Sequence, residues 1–317
     1  MKKQVKHLRM LWLLLLLVGG ASLFESCVRT SQSDCLFPIR LRFEYVKNRE
    51  NKDLFNAEVE TLDLFLYDRV SGKLVDRKSP SVKSLKDGNV YEWYAPAGDY
   101  CVVAWAGNQG RYAYSGENSI DAAVAYAIRG ENGKDIQQRH EHLFHGITEN
   151  LHIDGTLHSP YNVSLRKNTN DIRVELVGFG GKDDVFCEIL GDNGAYDFRN
   201  RIVDEHSPCR YLAKDNTPDG AAKVWKDFTT LRLWKGDLSR LRVYITKGGS
   251  EPKLLIDESL SGLILKQSEE HNLGLDLEID DEFLIRIERK DINDANAGFT
   301  ITVNGWKDVD GSGGSLG

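Results

Sequence analysis

The chain has 317 residues, with 41 Lys and Arg against 48 Asp and Glu, which gives a formal net charge of −7 at pH 7. This acidic balance argues against a nucleic-acid-binding protein, whose binding face is basic. It also argues against electrostatic adhesion to anionic lipid, and the length favours two domains over one.

The first 27 residues have the organisation of an export signal. Four basic residues among the first nine precede the unbroken apolar run Leu11 to Val18. A transmembrane helix needs about 20 apolar residues, so this run is too short to span a bilayer. Small residues follow it and Ser26 directly precedes Cys27, so we expect cleavage before Cys27 and attachment of lipid to its thiol. The alternative is an ordinary signal peptide cut near Ala21 or Ser26, with Cys27 unmodified.

Removal of residues 1–26 takes away four basic side chains and one acidic side chain, which leaves 37 basic and 47 acidic side chains and a net charge of −10. Residues 28–34 are polar and are expected to form a short tether.

Alternation of apolar and polar residues predicts short strands through most of the remaining chain. The predicted strands are 37–45, 59–68, 73–77, 90–94, 100–105, 163–165, 172–176, 185–190, 227–234, 241–246, 253–257, 283–289 and 299–306. Residues 118–128 (NSIDAAVAYAI) are predicted as a helix because they are rich in Ala and begin with residues that cap helices. Residues 130–159 show no strand pattern, and the Gly/Ser-rich tail 308–317 is predicted to be flexible.

Many short strands separated by turn residues are typical of β-sandwiches. We therefore predict an all-β protein with two tandem antiparallel sandwiches, in residues 27–159 and 160–317, after a signal peptide in residues 1–26.

The cysteine count bears on disulfides. If Cys27 carries lipid, four cysteines remain, and an even number permits two disulfides in an exported protein. We expect Cys35 to pair with Cys101 and Cys187 with Cys209. The alternative is that these residues are small buried hydrophobic side chains.

Five of the eight histidines lie between residues 140 and 158. Imidazole is a good ligand for transition metals, which makes His140, His142 and His145 the candidate metal ligands. Their spacing matches no zinc motif, so we expect hydrogen-bonded loop histidines and no metal or cofactor. The chain also has no HExxH motif and no P-loop, and we expect no enzymatic activity.

Aromatic side chains in alternating segments more often fill a sandwich core than form a glycan-binding platform. We expect a core role for the following residues: Trp93, Tyr94, Trp105, Trp225, Trp234 and Trp306.

An ordered set of segments resembles the FimB-type fimbrial anchor family, the minor subunits that fix type V pili to outer membranes. The set comprises the signal with Cys27, LRFEYVKN (41–48), VETLDLFLYD (59–68), PAGDYCVVAW (96–105), LFHG (143–146), VSLRKNTNDIRVEL (163–176) and ITVNGW (301–306). The resemblance implies two Greek-key, transthyretin-like sandwiches, a lipid anchor in the outer membrane with a surface-exposed body, fimbrial stalk subunits as partners, and a role in holding and terminating a fimbria.

Subunits of such pili are joined by β-strand addition, and stalk subunits lose their first strand by proteolysis after a basic residue. Arg49 follows the first strand here, but a cut there would separate Cys27 from the body, so we expect the strand to stay. The tail GSGGSLG has almost no apolar residues and would be a poor donor strand. The alternatives are a tip or accessory pilin or adhesin of the same pilus, and a surface glycan-binding lipoprotein.

Overall fold

The computed structural model describes residues 35–136, 141–179, 185–203, 208–217, 223–246, 251–290 and 298–305. It is almost entirely β structure, which confirms the predicted all-β class. The described ranges also contain the helices α1 (Phe55–Glu58) and α2 (Leu260–His271) and a 3₁₀ turn at Val82–Ser84. Neither helix is long and apolar enough to cross a membrane.

The first half of the chain supplies eleven strands: β1 (Phe37–Glu44), β2 (Leu62–Asp68), β3 (Leu74–Lys78), β4 (Val90–Ala95), β5 (Gly98–Ala106), β6 (Tyr112–Ser115), β7 (Val124–Ala127), β8 (Asp135–Ile136), β9 (Phe144–Ile153), β10 (Tyr161–Ser164) and β11 (Arg166–Lys167). The second half supplies ten strands: β12 (Thr169–Val177), β13 (Val185–Gly191), β14 (Ala195–Asp197), β15 (Cys209–Leu212), β16 (Lys214–Asp215), β17 (Lys223–Leu231), β18 (Arg240–Ile245), β19 (Lys253–Ser259), β20 (Glu282–Arg289) and β21 (Phe299–Gly305).

The first sandwich consists of a sheet with the order β10-β1-β4 and a sheet with the order β11-β9-β5-β2-β3. Every second residue of β1 and β2 is apolar, so each strand has one face that is stable only when buried. The inward residues Leu41 and Phe43 of β1 and Leu64 and Leu66 of β2 belong to one buried cluster between the two sheets.

The second sandwich consists of sheets with the orders β16-β17-β12-β20-β21 and β19-β18-β13-β15-β8. Its edge strand β8 comes from the first half of the chain and pairs with β15. The two halves are therefore interlocked as well as consecutive.

A small third sheet, with the order β14-β7-β6, lies between the sandwiches. It occupies part of segment 118–128, so the helix predicted there is wrong. Ala123, Ala125 and Ala127 are buried in the cluster that also contains Phe65 and Trp105 of the first sandwich. Burial of every second residue from Ala123 to Ala127 is the pattern of a strand, and this tertiary packing overrides the helix propensity of alanine.

We predicted no strand in residues 130–159. Residues 144–153 form β9, so that prediction is wrong for this part of the segment. Phe144, His145 and Gly146 are all buried, whereas Glu149 and Asn150 are exposed. The strand thus changes from burial on both faces to exposure within ten residues, and simple alternation is not visible in its sequence.

Helix α2 was not predicted. Ser259 caps its N-terminus by accepting a hydrogen bond from the Gly262 amide, and Asn272 ends it in the left-handed conformation. Its buried residues Leu260 and Ile264 pack into the second core, and the helix contacts both β19 and β21. It therefore covers the side of the second sandwich where these two edge strands lie.

Strand β10 lies parallel to β1, and β11 pairs with β9. Both strands belong to the first sandwich although they follow residue 159. We therefore propose that the chain divides after Lys167 and not after Ser159.

Candidate functional site

Strand β1 runs through the centre of its sheet. It pairs with β4 from Phe37 to Arg42 and with β10 from Leu41 to Glu44. Ile39, Leu41 and Phe43 are almost completely buried. The first strand among the described residues is therefore bonded to a neighbour on both sides and contributes to the first core.

The loop after β1 contains Arg49 and is held closed by its neighbours. Asn48 is buried, and its side-chain amide donates to the carbonyls of Tyr45 (2.9 Å) and Lys52 (2.8 Å). Its side-chain oxygen accepts from the Glu50 amide at 3.0 Å. The Arg49 guanidinium forms an ion pair of 3.4 Å with Asp280, which lies in the second half of the chain.

This loop leads into a cluster of buried charges between the two sandwiches. Lys167 is only 2% exposed, and its Nζ lies 3.0 Å from Asp281, 3.6 Å from Asp171 and 3.7 Å from Glu58. His142 Nε2 lies 2.7 Å from Oδ2 of Asp171, the same oxygen that faces Lys167. We call these five residues the junction cluster. It joins residues from both halves of the chain.

The charges of the junction cluster stabilise one another. Burial alone would lower the pKa of Lys167, but the carboxylates of Asp281, Asp171 and Glu58 together raise that pKa above its usual value. Burial would likewise raise the pKa of Asp171, but Lys167 and the hydrogen bond from His142 hold that pKa well below its usual range. The ammonium and the Asp171 carboxylate are therefore both charged at neutral pH.

Hydrogen bonds to the main chain fix the same segment. Arg232 donates to the carbonyl of Lys167 (2.5 Å) and to that of Leu277 (2.9 Å), and the Arg232 amide donates to the Asn168 carbonyl. The Asn170 side-chain oxygen accepts from the Leu233 amide at 2.7 Å. The segment 167–170 is thereby bonded to two loops of the second sandwich, which fixes its position relative to that sandwich.

The three candidate histidines, at which we expected no metal, have different surroundings. His140 lies outside the described residues, and His142 belongs to the junction cluster. His145 is fully buried against Trp105, and its Nε2 lies 3.1 Å from the Phe198 carbonyl. Burial lowers the pKa of His145 to about 4, so its ring is neutral. Within the described part of the chain, no group of three or more His, Cys, Asp or Glu side chains is arranged to hold a metal ion.

The cysteines Cys35, Cys101, Cys187 and Cys209 are free thiols in this structure, so both predicted disulfides are wrong. Cys209 lies opposite Gly191, four residues along β13 from Cys187. That separation is about 13 Å, too far for a bridge. Cys35 is exposed before β1, whereas Cys101 is buried in the core on the other side of the β5 sheet. Cys27 lies outside the described residues.

Burial raises the pKa values of Cys101 and Cys187 to about 12. These two thiols are therefore protonated and unreactive at neutral pH.

The tryptophans do not form an exposed platform in the described residues. Trp93 and Trp105 are buried and fill the two cores. Trp225 is half-buried beneath the Arg173 guanidinium, and Trp234 is also half-buried. Tyr94 was predicted to be a core residue but is exposed. Trp306 lies outside the described residues.

These features define the class of the molecule as an all-β protein of two sandwiches joined through a buried ionic junction. The model of the family described as fimbrillin-A associated anchor proteins Mfa1 and Mfa2 matches residues 32–310. The chain belongs to this family, which confirms the resemblance to a fimbrial anchor family. Membership places it among fimbria-associated proteins of the cell envelope and supports a non-enzymatic role.

Solved structures share the fold. A candidate polysaccharide-binding protein of Bacteroides thetaiotaomicron aligns with a TM-score of 0.70 and 22% identity, over 85% of this chain and 96% of that one. The fimbrial anchor protein Mfa2 of Porphyromonas gingivalis aligns with a TM-score of 0.68 and 19% identity, over 86% and 98%. A candidate adhesin of B. thetaiotaomicron aligns with a TM-score of 0.66 and 21% identity, over 86% and 96%. No curated protein sequence matches the chain.

Sequence reasoning found the Lys167–Asn170 segment through the family resemblance but did not assign its role. The partners Glu58, Asp281 and Arg232 were missed, because they are far from Lys167 in sequence and resemble ordinary surface charges. A lysine between two stretches of alternating apolar residues was the one available signal.

Proposed function

We propose that this chain anchors a fimbria to the outer membrane through lipid on Cys27, limits the length of the fimbria and joins its subunits by β-strand addition. The observation that carries the proposal is the position of β1. This strand begins ten residues after Cys27 and is hydrogen-bonded on both sides at the centre of the first sandwich.

The direction of β1 suits an anchor under tension. A pull from the membrane would act on Phe37 and run along the strand axis. Such a pull loads the hydrogen bonds to β4 and β10 together, because they lie across the direction of the force. At the far end of β1 the chain reaches the junction cluster, which would pass the load to the second sandwich.

Retention of β1 is supported by energetics. Burial of a large aliphatic or aromatic side chain contributes about 1.5–3 kcal/mol, so Ile39, Leu41 and Phe43 together contribute about 5–9 kcal/mol. A whole domain is stable by only about 5–15 kcal/mol. Loss of β1 would therefore unfold the first sandwich unless another strand replaced it.

The hydrogen-bonded loop that contains Arg49 also supports retention of β1, because a protease binds its substrate in an extended conformation. We expect native protein to resist trypsin after Arg49. Substitution Asn48→Ala removes the side-chain bonds that close the loop and should accelerate this cut at least several-fold, as measured by the appearance of an N-terminus at Glu50. An N-terminus at Glu50 in untreated cell-surface material would instead favour the pilin alternative.

Joining by β-strand addition needs an unpaired sheet edge, because main-chain hydrogen bonds supply the affinity. The end strands of the first sandwich are β10 and β4 in one sheet and β11 and β3 in the other. The Gly/Ser-rich tail would be a poor donor strand, so this chain would accept a strand from its neighbour.

The central experiment compares Cys27→Ala with the matched control Cys35→Ala, which removes an exposed thiol eight residues further along the chain. We expect Cys27→Ala to move the protein from the membrane to the soluble fraction, whereas Cys35→Ala stays with the membrane. The intact mass of membrane-extracted protein should show acyl chains on Cys27. Equal membrane association of the two variants would refute lipid anchoring.

Length control is tested separately. Cells that lack this chain should carry longer fimbriae and release them into the medium. Normal length and normal retention of fimbriae would contradict the anchor role even if Cys27 is acylated.

A further inference from the structure

The start of β1 and the connections between several other strands lie at one end of the first sandwich. Phe37 of β1 lies opposite Ala95 at the end of β4, and Gly98 at the start of β5 lies opposite Ile153 at the end of β9. Strand β2 also ends here, since Asp68 pairs with Tyr100. We call this end the tether pole. The junction cluster lies at the opposite end of the same strands.

Three exposed aliphatic side chains lie at the tether pole. Leu36, 61% exposed, directly precedes Phe37, and Val70, 91% exposed, lies in the turn after β2. Leu157, 66% exposed, lies in the loop after β9. In this loop Gly155 approaches the Phe37 ring so closely that a Cβ atom would be 3.0 Å from it.

This clustering is unusual for the molecule. Among the described residues only four large hydrophobic side chains are more than 60% exposed, and three of them are at this pole. The fourth, Leu238, lies in the second half of the chain. Exposed apolar side chains gathered in one place mark an interaction surface, whereas isolated ones do not.

The charged groups at the tether pole are balanced. His152 pairs with Asp99 at 2.8 Å, and His158 pairs with Asp154 at 3.0 Å. Arg69 and Lys73, which flank Val70, are matched by Asp68 and by the carboxylates of these two pairs, so no large excess of positive charge is available to attract anionic lipid. A partner of this surface would therefore be held by the aliphatic side chains.

The length of the preceding chain identifies the partner. Ten residues separate Cys27 from Phe37, and ten fully extended residues span at most about 33–36 Å. If Cys27 carries lipid, the tether pole must therefore stay close to the bilayer.

We propose that Leu36, Val70 and Leu157 insert into the boundary between lipid headgroups and acyl chains, so that the first sandwich stands on the membrane by its tether pole. This inference rests on the proposed lipid anchor. It adds an orientation, because contact at several points would direct the second sandwich away from the membrane. A lipid chain on a tether alone would leave the orientation free.

The test uses the full acylated chain with Cys35→Ser, so that an introduced cysteine is the reactive exposed thiol among the described residues. A nitroxide label is attached at Val70→Cys in one sample and at Leu254→Cys in a control sample. Leu254 is 43% exposed on β19, at the end of the second sandwich remote from the junction cluster. Both proteins are reconstituted into phosphatidylcholine vesicles, and collision of the label with oxygen and with a water-soluble nickel complex is measured.

We expect the ratio of oxygen to nickel collisions at Val70→Cys to rise at least threefold when the protein binds vesicles, while the ratio at Leu254→Cys stays unchanged. The same aqueous ratio at both positions, in protein that floats with the vesicles, would overturn the inference and leave the lipid anchor intact. Protein that does not float and lacks acyl chains would overturn the proposed anchor as well. A rise that requires added phosphatidylglycerol would show that positive charge carries the contact, which would also overturn the inference.

Discussion

Substitution Lys167→Met tests whether the junction cluster is essential to the fold. Methionine has a similar length and preserves most of the packing, but it carries no charge. The carboxylates of Asp281, Asp171 and Glu58 would then face one another without the ammonium that lies 3.0–3.7 Å from them. Removal of one partner from a buried ion pair costs about 3–5 kcal/mol, because the remaining charge stays buried without compensation.

A loss of this size is a large fraction of the about 5–15 kcal/mol by which a domain is stable. For a unit of 150–250 residues it corresponds to a fall in Tm of about 6–20 °C. The assay is urea unfolding at pH 7 of the chain from Val28 onward. The matched control is Lys266→Met, because Lys266 is mostly exposed and its partner Glu270 lies 3.8 Å away. We expect the control to change the free energy of unfolding by less than about 0.5 kcal/mol.

Addition of Asp281→Asn to Lys167→Met should restore part of the lost stability, because it removes one of the uncompensated charges. The reasoning is refuted if Lys167→Met costs no more than Lys266→Met, or if Asp281→Asn in that background causes a further loss. The first result would show that the junction cluster contributes packing and not charge.

Three further predictions concern burial. His145 is neutral in the fold, with its pKa lowered to about 4, so the unfolded chain takes up the proton first. The free energy of unfolding should then fall by up to about 3 kcal/mol as the pH drops from about 6.5 to 4. His145→Gln should remove this dependence on pH, as measured by urea unfolding at several pH values. Leu41→Ala should lower the free energy of unfolding by about 2–5 kcal/mol in the same assay, because it leaves a cavity. The control Arg42→Ala, on the opposite face of β1, should lower it by less than about 0.5 kcal/mol. Equal losses would contradict the burial of β1. In the chain from Val28 onward, a thiol reagent should label Cys35 within seconds to minutes and the three buried cysteines only after denaturation; fast labelling of all four would contradict their burial.

The pH range of the junction cluster follows from its pKa directions. The lowered pKa of Asp171 stabilises the fold above the unfolded value of about 3.9, and this contribution is lost as the pH falls below it. The raised pKa of Lys167 stabilises the fold below the unfolded value of about 10.4, and this contribution is lost as the pH rises further. Between these limits Asp171 and Lys167 stay charged in both the folded and the unfolded chain, so the contributions of these two groups do not change with pH.

Local sequence pattern determined the elements whose two faces differ. Strands β1 and β20 largely alternate between apolar and polar residues, and the structure places them close to the predicted bounds. Each of these strands has one buried face, and the apolar residues at every second position predict which face it is. The all-β class follows from the repetition of this pattern along the chain.

Tertiary structure alone decided the rest. Segment 118–128 has the composition of a helix, but part of it forms β7, because Ala125 and Ala127 are buried on one face of a strand in the cluster that also contains Trp105. Cys187 and Cys209 are close in sequence, but strand register places them four residues apart along the sheet. Lys167 becomes the centre of a buried cluster because the fold brings Glu58 and Asp281 to it from positions more than 100 residues away on either side. Local sequence specifies which face of a strand must be buried, whereas the partner of a buried charge is known only when distant strands have come together.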